Sequence, residues 1–102
     1  MKITSLGHTE CLLEFTLANG KVWRLLLDAW LSDFSVADCM ERTPRVKIDW
    51  GSLPQIDAVF ISHSHMDHLD PYFLTELYRH QSPTLLLSST LGYLVPTVRE
   101  YL

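Results

Sequence analysis

The chain has 102 residues, 47% of them hydrophobic and 20% charged, which is a globular composition and excludes a disordered protein. A net charge of −4 without any Lys/Arg run argues against a nucleic-acid partner. No apolar run reaches the roughly 18 residues of a membrane span, and residues 1–20 lack the apolar segment of a signal peptide, so no membrane partner is expected.

The first elements predicted along the chain are three strands, over residues 2–6, 10–17 and 21–27. The second and third strands flank Asn19-Gly20, the dipeptide that best adopts the two positive φ angles of a type I′ turn. The pattern therefore predicts an antiparallel β-hairpin.

A long irregular segment follows the hairpin. Asp28 ends the third strand directly after three leucines, and residues 29–50 show neither the helical nor the strand period. We predict a long loop with one short helical turn, and a loop of this length in a small domain is usually functional. Trp30 and Trp50 either wall a pocket or pack within the loop.

The second half of the sequence has the pattern of a βαβ unit. A short apolar strand is predicted over 56–62 and another over 84–88. Between them, Asp70-Pro71 is a typical helix start, with Asp as N-cap and Pro in the first position, and the helix runs over 72–80. Ser89-Thr90 begins a further helical segment. We expect the two strands to be parallel, with a right-handed crossover.

The most informative stretch is the turn that leaves the 56–62 strand. It contains His63, His65, Asp67 and His68, the residue types that zinc and similar metals accept as ligands. In extended backbone, residues i and i+2 point to the same side, so His63 and His65 can share one metal. Asp67 and His68 can hold a second metal nearby, and the pair of metals would activate a water molecule as the nucleophile.

The same residues carry a family resemblance. His63-Ser64-His65-Met66-Asp67-His68 resembles the HxHxDH motif of the metallo-β-lactamase superfamily, with every defining position present. Residues 25–30, ending in a strand-terminal Asp, and residues 57–62 resemble the strands of that family. Leu6-Gly7-His8-Thr9 resembles the Gly-His of its lactonase-like branch, which includes ascorbate-phosphate lactonase relatives.

The resemblance implies an α/β (α+β) fold, namely the N-terminal half of a metallo-β-lactamase αββα sandwich with a mixed sheet. Residues 1–102 would form a partial domain that is truncated at its C-terminal side. It implies two zinc ions in a complete site, although manganese or iron fits the same ligands. The implied metal ligands are His63, His65, Asp67 and His68.

Three further roles follow from the resemblance or stay open. Asp67 would also be catalytic, since it would help to orient the nucleophile. Asp28 either orients a ligand from beneath the site or is an ordinary strand-ending carboxylate. His8 either faces the pocket rim or is a surface histidine. The family completes its site with later histidines and an aspartate, but no histidine follows His80 and Glu100 is the only acid after it.

The implied activity is that of a metal-dependent hydrolase, in which a metal-bound hydroxide attacks a lactone, a phosphoester or another ester. The alternative is a non-catalytic metal-binding or interaction domain, a fragment or half-site that needs a partner chain. An apolar sheet face is expected to remain uncovered and to favour self-association or a second chain. Cys11 and Cys39 form no CxxC motif and are interpreted as core thiols in the cytoplasm.

Overall fold

The computed structural model describes residues 1–33, 40–45, 47–94 and 96 of the chain. Five strands form one mixed sheet in the order β1-β2-β3-β4-β5. The elements are β1 (Lys2–Ser5), β2 (Cys11–Thr16), β3 (Val22–Leu27), β4 (Ala58–Ile61), α1 (Pro71–His80), β5 (Thr84–Leu87) and a 3₁₀ helix (Ser89–Leu94). The α/β fold class and the order of elements are as the sequence predicts.

The sheet changes direction at its centre. β1, β2 and β3 pair antiparallel, whereas β3, β4 and β5 pair parallel. The parallel β4–α1–β5 unit confirms the predicted βαβ arrangement. As a consequence, the carboxyl ends of β3 and β4 lie side by side, which is where ligand sites form in open α/β sheets.

The hairpin between β2 and β3 is confirmed, but the predicted type I′ turn is wrong. Asn19 does not have a positive φ, whereas Gly20 has φ 81°. The Gly20 amide donates to Leu17 O at 2.9 Å, and the Leu17 amide donates to Lys21 O at 2.8 Å. This is a three-residue loop in which a tight turn is followed by one left-handed glycine, so only Gly20 needs the unusual conformation.

The core lies between the sheet and α1. Leu26, Val59 and Leu85 stand side by side in the strand register and face the helix. The helix contributes Phe73 and Leu77, each at most 3% exposed. Burying an apolar side chain of this size stabilises the fold by about 1.5–3 kcal/mol.

The other sheet face has no helix on it in the described part of the chain. Leu27, Phe60 and Leu86 are paired across neighbouring strands on that face, and Leu86 is 41% exposed. Ile3, on the edge strand β1, is 59% exposed. Within the described residues, the apolar side chains on this face are therefore partly accessible to solvent, and its use as a contact surface stays a prediction.

Helix α1 begins and ends as predicted. The Asp70 side chain caps it by accepting a hydrogen bond from the Phe73 amide at 3.0 Å, and Pro71 occupies the first turn. At the other end, the imidazole of His80 stacks on Trp50 with ring centroids 5.0 Å apart. Trp50 therefore packs its loop against the helix.

The segment predicted as a loop over 29–50 has no regular helix in its described parts, 29–33, 40–45 and 47–50, and a hydrogen-bonded turn begins at Asp49, whose carbonyl accepts from the amides of Ser52 and Leu53. The rest of the segment lies outside the described residues, so the predicted helical turn stays a prediction there. Cys39 lies outside the described residues, while Cys11 is a free, partly buried thiol. Within the described ranges, no helix has the length and apolarity needed to cross a bilayer.

Candidate metal site at the strand ends

Asp28 connects the ends of the two central parallel strands. Its φ of 45° is left-handed, a conformation that Asp tolerates better than most residues. Its carboxylate accepts hydrogen bonds from the Ser62 amide at 2.8 Å and from the Ser62 hydroxyl at 3.0 Å. The Asp28 amide donates to Phe60 O at 2.8 Å. Asp28 thus fixes the point at which the histidine-rich turn leaves β4.

The same carboxylate holds one imidazole of the turn. Oδ2 of Asp28 lies 2.9 Å from Nδ1 of His68, and both side chains are largely buried. A carboxylate on Nδ1 favours the proton there and leaves the lone pair on Nε2, which is the arrangement commonly seen for metal-binding histidines. Asp28 thus contacts one imidazole of the turn directly, and its role at a metal site stays a prediction.

The other two histidines of the motif lie against each other. His63 Nε2 is 3.0 Å from His65 Nδ1, and His63 Nδ1 is 2.9 Å from the Ser62 hydroxyl. The His63 ring centroid is 4.6 Å from that of His65 and 4.0 Å from that of His68. The turn therefore gathers all three imidazoles at the carboxyl end of β4.

Asp67 lies beside His68, next to the loop between β1 and β2. Its Oδ2 is 3.2 Å from His8 Nε2 and 3.7 Å from His68 Nε2, and its carbonyl accepts from the Thr9 hydroxyl at 3.0 Å. Burial raises the pKa of Asp67, but hydrogen bonds from its own backbone and from His8, with the neighbouring imidazoles, lower it below its ordinary value. The carboxyl is therefore held in its ionised form.

The donor atoms have the spacing that a shared ion would need. Two ligands bound at about 2.0–2.1 Å to one tetrahedral zinc ion lie roughly 3.3–3.4 Å apart. The His63–His65 pair at 3.0 Å and the His68–Asp67 pair at 3.7 Å are close to this separation. In the described ranges, no three His, Cys, Asp or Glu side chains form a ready set around one ion. These residues can thus supply two ligands to each of two metal ions, and each ion would need further ligands.

A buried ion pair supports the loop that carries His8, and the sequence reasoning missed it. Arg42 and Glu10 are 5% and 0% exposed, and two parallel contacts of 3.1 and 3.2 Å join them. Arg42 also donates to the carbonyls of Leu6, at 2.6 Å, and of Trp30. Glu10 in turn accepts from the His8 amide at 3.0 Å. Arg42 therefore ties the segment after β3 to the β1–β2 loop.

In the sequence, Gly7 is the one feature that indicates the buried Glu10–Arg42 pair. It has φ 148°, and a Cβ added there would lie 2.0 Å from the Arg42 guanidinium. A glycine between two strands can mark the close approach of another group, and here that group is Arg42. The sequence gives no hint of which group approaches, because Arg42 is far from Gly7 along the chain.

Asp70 makes a second connection that the sequence did not reveal. Besides capping α1, it accepts from the amides of Leu31 at 3.1 Å and Ser32 at 2.8 Å, and it is 1% exposed. Ala29 also forms a bridge with Leu69. The segment after β3 is thereby attached to the helix start immediately behind the histidine-rich turn.

The fold and these side chains define a domain of the metallo-β-lactamase type, and the comparison with known families agrees. The family described as "Beta-lactamase superfamily domain" matches residues 23–97, which include the whole histidine-rich turn. This chain belongs to the metallo-β-lactamase superfamily.

Its relatives are longer proteins. The chain is 30% identical over its full length to a "Putative Rieske 2Fe-2S iron-sulfur protein" of Mycolicibacterium smegmatis, of which it covers 18%. It is 36% identical over 69% of its length to "Uncharacterized protein Rv0906" of Mycobacterium tuberculosis, again covering 18% of that protein. The chain thus spans about a fifth of the length of these relatives. No solved structure matches it.

Proposed function

We propose that this chain provides the first half of the metal site of a metal-dependent ester hydrolase. The observation that carries the proposal is the His68–Asp28 contact of 2.9 Å, which orients one imidazole toward Asp67 and the other two histidines. A histidine held in this way by a buried carboxylate is typical of a metal ligand. Zinc is the proposed metal, and manganese or iron fits the same donors.

Each residue has a defined part in this proposal. His63 and His65 hold the first ion, and Asp67 and His68 hold the second. When bound, the metals supply Lewis acidity and lower the pKa of a water molecule. The ionised Asp67 carboxylate is available to orient that water by accepting a hydrogen bond. His8 positions Asp67 through its contact of 3.2 Å.

The remaining ligands of a complete site are proposed to come from outside these 102 residues, since no histidine follows His80 in the sequence. Membership of the lactonase-like branch and the choice among a lactone, a phosphoester and another ester remain proposals. The open sheet face is the proposed contact surface for the part that completes the site, or for self-association. A cytoplasmic location stays a prediction from the sequence.

The Rieske label of the Mycolicibacterium smegmatis relative does not lead us to propose an iron–sulfur centre here. Such a centre needs two cysteines and two histidines as ligands. Cys11, the cysteine within the described residues, lies in β2 opposite Leu27 and is not part of the turn that carries the imidazoles. The donors of that turn are nitrogen and oxygen atoms, which suit zinc without sulfur.

Metal content by elemental analysis tests the proposal. The His63→Ala/His65→Ala variant should lose the zinc of the first position, and His80→Ala should keep it, because His80 stacks on Trp50 away from the site. Circular dichroism checks that both variants keep the sheet. Equal zinc content in the double variant and the control would refute the assignment.

Hydrolysis assays decide between enzyme and binding domain. Two zinc ions per chain together with ester or lactone hydrolysis would support the enzyme. A single labile ion without hydrolysis, even when the rest of a full-length relative is supplied, would favour the non-catalytic metal-binding domain.

A further inference from the structure

A recess of about 680 Å³ opens beside the candidate metal site. Its walls are the β1–β2 loop at residues 6–8, Trp30, and the segment 40–44. The volume lies within the roughly 300–1,000 Å³ that is usual for small-molecule sites. None of the roles assigned above to the metal ligands uses this space.

One side chain, His8, connects the recess with the candidate metal site. His8 lines the recess, and its Nε2 lies 3.2 Å from the Asp67 carboxylate. The His8 ring also meets the edge of Trp30, with centroids 5.8 Å apart. A substrate whose reacting carbon lies beside Asp67 can therefore extend its adjoining group past His8 into the recess.

The walls of the recess are largely apolar, with side chains of Leu6, Trp30, Met40 and Pro44. Arg42 is the one cationic residue among the described residues that line it. Its guanidinium is 5% exposed and is already bound to Glu10 and to two backbone carbonyls. Arg42 therefore has no free donors for a phosphate group, and the other basic side chain of the described lining, His8, already lies 3.2 Å from the Asp67 carboxylate.

The acidic member of the lining is already paired. Glu41 is 52% exposed at the rim and pairs with Arg45 at 2.7 Å. This exposed pair has no net charge, so the preference for an apolar ligand is argued from the walls of the recess.

We propose that this recess binds an uncharged, largely apolar group of the substrate next to the scissile bond. The inference rests on the proposed hydrolase function and narrows the range of its substrates. The substrate class becomes carboxylic esters and lactones that carry a hydrocarbon or aromatic group, in preference to phosphoesters with a charged group at this position.

The test compares two probes that share the same ring, phenyl acetate and phenyl phosphate. Each is titrated into the ¹⁵N-labelled chain in EDTA, so that metal binding plays no part. We expect phenyl acetate to bind at least about tenfold more tightly, because an apolar pocket with no free cation leaves a phosphate group unpaired. The shifted amides should include those of Gly7, His8 and Thr43.

Matched substitutions locate the binding. Thr43→Phe fills the recess and should abolish the shifts, whereas Thr16→Phe, at the far end of β2, should leave them unchanged. Thr43→Lys adds a cation to the lining and should strengthen phenyl phosphate binding several-fold, while Thr16→Lys should not.

Three results would overturn the inference. They are equal or tighter binding of phenyl phosphate to the unsubstituted chain, amide shifts that fall away from the recess, and a Thr43→Phe variant that binds like Thr16→Phe. The metal assignment is tested separately, because His63→Ala/His65→Ala should still bind phenyl acetate in EDTA even if the metal proposal fails.

Discussion

Replacing Arg42 by Ala should be among the most damaging single substitutions in this chain. Arg42 neutralises Glu10, a carboxylate with 0% exposure. Breaking a buried ion pair from one side costs about 3–5 kcal/mol, because the remaining charge is left without a partner. A domain of this length is typically stable by about 5–15 kcal/mol, so a large share of the total would be lost.

Arg45→Ala is the matched control, since it removes the same side chain only a few positions away. Arg45 is 56% exposed and pairs with Glu41 at the surface, where such pairs contribute about 0–1 kcal/mol. Urea unfolding followed by circular dichroism measures both variants. If Arg42→Ala is no less stable than Arg45→Ala, the reasoning about the buried pair is refuted.

The double variant Glu10→Gln/Arg42→Met separates loss of the pair from loss of packing. It removes both charges together and should recover part of the stability lost in Arg42→Ala, because no buried charge then stays unpaired. The backbone contacts of Arg42 with Leu6 and Trp30 are lost in both cases. A double variant as unstable as Arg42→Ala would assign the cost to those backbone contacts instead.

Three further substitutions test other parts of the structure. Asp28→Asn should weaken zinc binding about 10- to 100-fold, measured with a competing chelator, because it changes the partner that orients a site imidazole. Asp70→Ala should cost about 2–3 kcal/mol in urea unfolding, since the helix cap and two further buried amides lose their acceptor. Hydrogen bonds from Lys2 and Arg24 lower the pKa of Glu14 below 4.5. Its contribution to stability is therefore present above that pH and lost as the pH falls through the lowered pKa, and Glu14→Gln should flatten this acid dependence of unfolding.

Local sequence patterns were enough to predict the strands and the helix, and also the proximity of the candidate metal ligands. The spacing of His63, His65, Asp67 and His68 puts them on one short turn, so their proximity needs no knowledge of the tertiary fold. The Asp70-Pro71 helix start works in the same way, because capping involves only neighbouring residues. Periodicity also separated the antiparallel hairpin from the βαβ unit, as the strand pairing confirms.

Long-range polar contacts could not be predicted in the same way. Arg42 lies in a segment without periodicity, and nothing local distinguishes it from Arg45, which is exposed. The difference arises only when the segment after β3 folds back over Gly7 and Glu10. The hairpin turn was mistaken for a related reason: Asn-Gly fits two turn types, and the strand register chooses between them.

The helix-covered face of the sheet and the carboxyl ends of its strands are stabilised by different interactions. Substitutions can therefore change the stability of the fold and the geometry of the site separately. On the helix side, residues such as Leu77 are held by apolar burial, which depends on volume and tolerates small shifts. At the strand ends, Asp28, Asp70 and the Glu10–Arg42 pair fix positions through directional hydrogen bonds. Of these, Asp28 alone contacts the imidazoles directly. Its loss should therefore change metal binding more than folding, whereas losing either of the other two should change folding first.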